Sequence, residues 1–348
     1  MRSPLLCGLA VMLSLASNAA ARQWTEDVFE QKVSVGRPFV AVAGRDPGRA
    51  HTVIGSSRFY QVQKGDTFLD IARYYDLGYN EIAEANPGVD PWIPPAGQTI
   101  LLPTEWVLPD TEYRGLVVNI PEMRLYSFAS AGAGTLMVTT YPVGLGRDDW
   151  HTPSGKFKVV EKTVNPRWVL PESIKAEHRR DGKPAPDFIA GGDPENPLGK
   201  YRLRLSLPLY GIHGTDIPWG VGMQVSHGCI RLYPEDIERL FPTVRVGIIG
   251  EFTYQPVKVG VRDGHIFIEV HKDIYGMVPG LYREALRLID KFGLRSRVDA
   301  GRVQRAVVEQ SGAPMDVTLE AQLDEVREET FTRPTADHTR EATTERIP

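Results

Sequence analysis

The sequence predicts a mainly β protein with more than one domain, on three observations. Between Gly115 and Lys162, short runs of Val, Leu, Tyr and Thr alternate between Gly-rich turns, the period-two pattern of strands. Asp263-Gly264 sits between two alternating runs within Gln255 to Tyr275, a strong hairpin signal. Phe59 to Pro103 compresses strand, helix, helix and strand into a small unit of its own. The 348 residues fit two or three domains at about 150 residues each. Apolar content of 42% and charged content of 24% are those of an ordinary globular chain. A net charge of -4 carries no basic signature, so no nucleic-acid partner is expected.

Taken in order, residues 1–21 read as an export signal: Arg2, an apolar run from Pro4 to Ala16, and an A-x-A site at Ala19-Ala20-Ala21. The run is too short to span a bilayer, which takes about 20 residues, so no stable membrane span is expected. Residues 22–57 are mixed. Val33 to Ala43 carries β-branched residues for a strand or two, and Gly44 to Arg58 reads as a loop.

From 58 to 104 the pattern sharpens. Tyr60 and Val62 mark a short strand, Lys64-Gly65-Asp66 a turn, and Asp66 or Thr67 can cap a helix with Phe68, Ile71, Ala72 and Tyr75 at helical spacing. A second helix, Tyr79 to Ala85, stops at Asn86-Pro87, where proline forbids continuation. Thr99 to Leu102 is a strand. Thr104 to Thr111, with prolines in and around it, reads as a short stiff linker.

A larger domain follows over 113–252. Gly115 to Asn119 and Lys158 to Lys162 are strands; Pro234 to Phe241 is an amphipathic helix with Ile237, Leu240 and Phe241 on one face; Thr243 to Ile249 is a further strand. The hairpin forms an extension over 253–278. Helices are expected at Gly280 to Phe292 and Val303 to Glu309 within 279–319, and the acidic, polar residues 320–348 read as a disordered tail.

The chemistry concentrates in Tyr210 to Tyr233, YGIHGTDIPWGVGMQVSHGCIRLY. Cys7 leaves with the export signal, so Cys229 has no intramolecular partner in an oxidising compartment and reads as a reactive thiol. A thiol is mostly protonated at neutral pH, and an adjacent imidazole can take its proton, so Cys plus His is the minimal unit for acyl transfer through a thioester. Two histidines compete for that role. His227 lies two residues from Cys229 and His213 lies upstream on a neighbouring strand; spacing leaves both open. Gly228 lets backbone approach a substrate, with nearby N–H groups for an oxyanion. Arg231 suits carboxylate recognition or pairs with Asp236 or Glu235. Ser226 donates to the site or packs, and Trp219 lines a cleft or closes the core. His151 and His178 read as structural or solvent-exposed.

The joint pattern of IHGT at Ile212–Thr215 and SHGCIR at Ser226–Arg231 resembles the signature of the L,D-transpeptidases, bacterial cell-wall cross-linking enzymes with a YkuD-type catalytic domain. Asn165-Pro166-Arg167-Trp168 and Asn196-Pro197-Leu198-Gly199 also have counterparts in that family. QKGDTFLDIA, NEIAEANP and PAGQTILLP look like a LysM module, a family that binds N-acetylglucosamine polymers such as peptidoglycan; Phe68-Leu69 departs from its usual Leu-Trp or Leu-Tyr.

The resemblance implies a YkuD-type β-sandwich plus a small βααβ LysM domain. It assigns Cys229 as nucleophile, His213 as base oriented by the Gly214 carbonyl, and His227 and Gly228 to the oxyanion pocket. It also implies periplasmic localisation, a peptidoglycan stem as donor, and a stem side chain or an outer-membrane lipoprotein lysine as acceptor. No cofactor and no metal are called for. A thiol hydrolase would use the same residues, a wall-binding scaffold would need no thiol, and a zinc or copper site on His213, His227 and Cys229 lacks an evident fourth ligand.

Overall fold

The computed structural model describes residues 24–30, 38–44 and 49–319. The export signal, residues 33–37 of the Val33 to Ala43 stretch and the 320–348 tail lie outside them; the rest of that stretch forms the expected strand, at Phe39–Val42. The architecture is mainly β. A nine-stranded mixed sheet runs in the spatial order Phe39–Val42, Thr135–Pro142, Arg124–Gly132, Gly115–Asn119, Ile249–Thr253, Gly155–Val164, Tyr201–Leu205, Gly211–His213 and Ile230–Arg231.

Strand periodicity builds two cores from this one sheet. Leu116, Val118 and Leu125 face a core closed by Ile237 and Leu240 of the Pro234–Thr243 helix. Val117, Tyr126, Phe128 and Val138 face the other way, onto Phe68, Ile71 and Ile82 of the strand–helix–helix–strand unit. Gly115–Asn119 is therefore buried at every position, which explains its unbroken apolar run.

The small unit forms as its sequence predicts. Thr67 caps the Phe68–Tyr74 helix, its Oγ1 accepting from Asp70 N at 3.2 Å; the second helix is Tyr79–Ala85, and Arg58–Gln61 pairs antiparallel with Thr99–Leu102. The linker expectation fails. Glu105–Val107 is a fully buried strand paired with Val53–Gly55, inside the stretch expected to be a loop. Burial decides this: Trp106 is enclosed, its indole N–H donating to Glu81 at 2.9 Å. The strand expected over Thr243 to Ile249 is also displaced. The helix runs on to Thr243, the chain turns through Gly247 at φ 89°, and the strand is Ile249–Thr253. Ile248 and Gly247 instead close hydrogen bonds to Val159 across the sheet.

The hairpin pairs Val257–Arg262 with His265–Val270, and Asp263 and Gly264 take φ values of 52° and 82°, both positive as a primed turn requires. Met315–Asp316 adds a third strand, and the Leu281–Lys291 and Ala300–Glu309 helices cover its apolar face.

Between hairpin, sheet and small unit lies a buried charge cluster. Lys258 Nζ is 2.8 Å from Glu122 and 2.6 Å from Glu269, and His271 Nε2 is 2.6 Å from Glu269. Lys258→Met strips both buried carboxylates of their shared cation and is expected to cost about 3–5 kcal/mol, read as a lowered denaturant midpoint. Lys156→Met, at an exposed pair with Glu112, is expected to leave that midpoint in place.

Candidate active site

Three adjacent strands assemble the site. Tyr201–Leu205 pairs antiparallel with Gly211–His213, with Arg202 opposite His213. Gly211–His213 pairs in parallel with Ile230–Arg231, with His213 opposite Arg231. Residues in register share a face, so Arg202, His213 and Arg231 form one row across the sheet, and Cys229 precedes Arg231 by one strand period. The Cys229 thiol donates toward the Leu209 carbonyl at 3.4 Å, and the Gly211 backbone lies against the sulfur.

The turn carrying the thiol is fastened by short polar contacts. Ser226 is buried; its hydroxyl donates to the Cys229 carbonyl at 2.7 Å and accepts the Gly228 N–H at 3.0 Å. Thr152 Oγ1 donates to the Gly228 carbonyl at 3.0 Å. Gly228 is required twice over: its φ is 99°, and a Cβ there would lie 2.7 Å from the Tyr210 ring. The expectation that the Gly228 N–H faces an oxyanion is thereby corrected, because Ser226 has taken that donor.

The two histidines part company. His213 is buried, and its Nδ1 lies 2.7 Å from the Gly214 carbonyl. A carbonyl only accepts, so Nδ1 carries the proton and Nε2 is left with a lone pair. Burial first, then the Arg231 charge, pushes His213 down to about 3 despite the opposing Gly214 bond, so the ring is neutral. His227 points elsewhere. Its Nε2 is 2.7 Å from Glu177 Oε2 and 3.3 Å from Arg147 Nη2, and its ring meets the Trp150 edge at 5.2 Å. The Arg147 and His227 bonds hold Glu177 down to about 2.

Burial also pushes the Cys229 thiol up, with the Gly211 backbone, Arg202 and Arg231 pulling against it. The free protein thus holds a neutral Cys229 thiol and a neutral His213 imidazole. Alkylation of Cys229 by iodoacetamide is therefore expected to accelerate past the ordinary thiol pKa of about 8.5. A preformed thiolate–imidazolium pair would instead give a plateau from about pH 5.

Of the remaining expected residues, Arg231 has its Nε buried without a hydrogen-bond partner and Asp216 as its main attracting charge; Glu235, an expected partner, is held by Arg73 at 3.1 Å. Trp219 stands 60% exposed on the Pro218–Gly220 turn, so it does not close the core. His151 is exposed and stacks on Tyr275 at 3.8 Å. His178 Nδ1 meets the Pro184 carbonyl at 2.7 Å. Asn196 is buried on the carbonyls of Pro166 and Ala190, and Gly199 approaches Gly214 so closely that a Cβ would lie 3.1 Å from its Cα. That loop packs beneath the carbonyl that orients His213.

Sequence reasoning missed Arg202, Glu177, Arg147 and Tyr275. Arg202 shares its strand with Arg204, and only the register with His213 singles it out. Tyr275 props the neighbouring strand, its hydroxyl donating to the Gly146 carbonyl at 2.9 Å. The metal alternative is not favoured by this geometry, since His213 and His227 turn to separate partners. Among the described residues, a convergent set of ligand types occurs at Glu122, Glu269 and His271, where the Lys258 ammonium already sits. No helix among the described residues is long and apolar enough to cross a membrane.

Comparison with known proteins bears on this geometry. The L,D-transpeptidase catalytic domain family matches residues 113–259 and the LysM domain family matches residues 60–103. Probable L,D-transpeptidase YcfS of Escherichia coli K12 is 33% identical over 307 residues, 85% of this chain and 95% of that protein. Probable L,D-transpeptidase YbiS of the same strain is 38% identical over 232 residues, 66% of this chain and 74% of that protein. Probable L,D-transpeptidase ErfK/SrfK of Salmonella typhimurium LT2 is 37% identical over 258 residues, 71% of this chain and 81% of that protein.

Proposed function

The chain belongs to the L,D-transpeptidase family, and from that premise we propose that it transfers peptidoglycan stems through a thioester on Cys229. The observation that carries this reading is the bond from His213 Nδ1 to the Gly214 carbonyl, which leaves Nε2 as an acceptor on the strand paired with Ile230–Arg231, the residues that directly follow the thiol.

In the proposed reaction the Cys229 sulfur attacks the carbonyl of the third residue of a tetrapeptide stem, and His213 Nε2 takes the thiol proton. The tetrahedral intermediate collapses, breaking the bond to the terminal D-alanine, whose amine leaves with the proton from His213. An acceptor amine then attacks the thioester, gives its proton to His213, and the thiol is restored. The Cys229 N–H supports the oxyanion, the Gly228 N–H being engaged by Ser226. Arg231 and Arg202 receive a stem carboxylate. Acceptors are a neighbouring stem side chain or the C-terminal lysine of an outer-membrane lipoprotein. The setting is the periplasm, reached through the export signal, and the LysM domain holds the polymer near the thiol.

The test is incubation of the mature protein with tetrapeptide muropeptides, followed by mass spectrometry. Loss of D-alanine with a dimeric product is the expected result. Tripeptide alone, even with excess acceptor stems, would mean that water resolves the thioester and the protein is a hydrolase. No turnover with retained sacculus binding would leave a wall-binding protein.

A further inference from the structure

The LysM domain is not held on a free tether; it contacts the catalytic domain on both sides of the nucleophile. Ahead of Cys229, the N–H groups of Tyr79 and Asn80, which open the second LysM helix, donate to the carbonyls of Val221 and Gly222, each at 3.2 Å. Backbone meets backbone there. A Cβ on Gly222, at φ 79°, would lie 2.2 Å from Tyr79 N, and one on Gly78 would lie 2.8 Å from Gly222 Cα.

Beyond Cys229, the Tyr233 hydroxyl donates to the Leu77 carbonyl at 3.1 Å. Arg73 donates through Nε and Nη2 to the two oxygens of Glu235, both at 3.1 Å, with both side chains less than a tenth exposed. The chain between these contacts, Met223 to Leu232, contains Ser226, Gly228 and Cys229. The Gly222 N–H also donates to Val143 at 3.1 Å, and Met223 accepts from Leu145 N at 3.0 Å, so a shift at Gly222 passes directly into the strand that leads to the catalytic turn.

We propose that the LysM domain is a brace for the active site as well as a polymer anchor: it clamps the catalytic segment at both ends and fixes the position of Cys229 relative to His213. Gly222 and the Tyr79 amide are positioning groups that touch no substrate. The inference rests on the acyl-transfer reading above. It predicts that disturbing the clamp slows the reaction even on a substrate with no glycan for LysM to hold.

The test uses full-length mature protein and a soluble tetrapeptide lacking sugar, with Gly222→Ala and Tyr79→Pro. Proline suits the first helical position, and Gly78 at φ -83° and ψ 159° already has the extended backbone required before it, so the helix keeps its start while the donor is lost. Tyr79→Ala keeps the amide and controls for loss of the ring. The clamp predicts kcat reduced about 10- to 100-fold in both Gly222→Ala and Tyr79→Pro. It also predicts KM within about threefold, sacculus binding intact and Tyr79→Ala near wild type. If Gly222→Ala does not fold, Tyr79→Pro decides. Wild-type kcat on the soluble peptide with loss confined to sacculi would overturn the clamp and leave a simple anchor, as would equal damage from Tyr79→Ala. A wild type that releases no D-alanine would overturn the acyl-transfer reading and this inference with it.

Discussion

Cys229→Ala is expected to lower D-alanine release from tetrapeptide stems by at least about 10³-fold, with no covalent adduct by mass spectrometry. The two hydroxyls that fasten the thiol's turn are not replacements for the sulfur. The Ser226 hydroxyl is spent on the Cys229 carbonyl and the Thr152 hydroxyl on the Gly228 carbonyl. Cys229→Ser is expected to be nearly as poor. The His213 environment holds the ring at about 3, a weak base that can remove a thiol proton only as the new bond to carbon forms. A hydroxyl is far harder to deprotonate, so the same imidazole cannot activate it. Residual stem transfer by Cys229→Ala, with labelled D-alanine exchanged into product, would mean the thiol is not the acyl carrier.

The parts of the molecule legible in sequence are those fixed by neighbours in the chain. The Tyr79–Ala85 helix, the Gly115–Asn119 strand and the Asp263-Gly264 turn each carry their own period, stop or turn chemistry. Glu105–Val107 was illegible because its strand character comes from partners elsewhere: Val53–Gly55 along one edge and Glu269, which accepts the Val107 N–H. A proline-flanked stretch looks like a linker until such partners are supplied. The site divides the same way. Cys229, His213 and Gly214 stand out in local motifs, whereas Glu177 reaches His227 from a helix in a charged run that reads as solvated surface. Arg202 enters only through strand register, and the same register sets the electrostatics, because Arg202 and Arg231 both bear on His213 and Cys229.

That row of charges shapes the test between the two histidines. His213→Gln is expected to lower kcat/KM by about 10²- to 10⁴-fold, the range for loss of a general base. His227→Gln is expected to cost less, since its Nε2 is committed to Glu177 and its loss disturbs the turn rather than proton transfer. The pH dependence separates base from support. Without His213 the reaction must draw on the thiolate alone, so residual activity in His213→Gln should climb about tenfold per pH unit below the thiol pKa. In His227→Gln the profile should keep the wild-type form at a lower level. The Arg231 charge is the second cause, after burial, that holds His213 down in the free protein. A substrate carboxylate seated on Arg231 and Arg202 would offset that charge and make the imidazole more basic when it is needed. Stems amidated at that carboxylate should therefore lose kcat as well as raise KM. Should His227→Gln prove the more damaging change and acquire the tenfold slope instead, the base would be His227, and His213 would be a buried support for the strand.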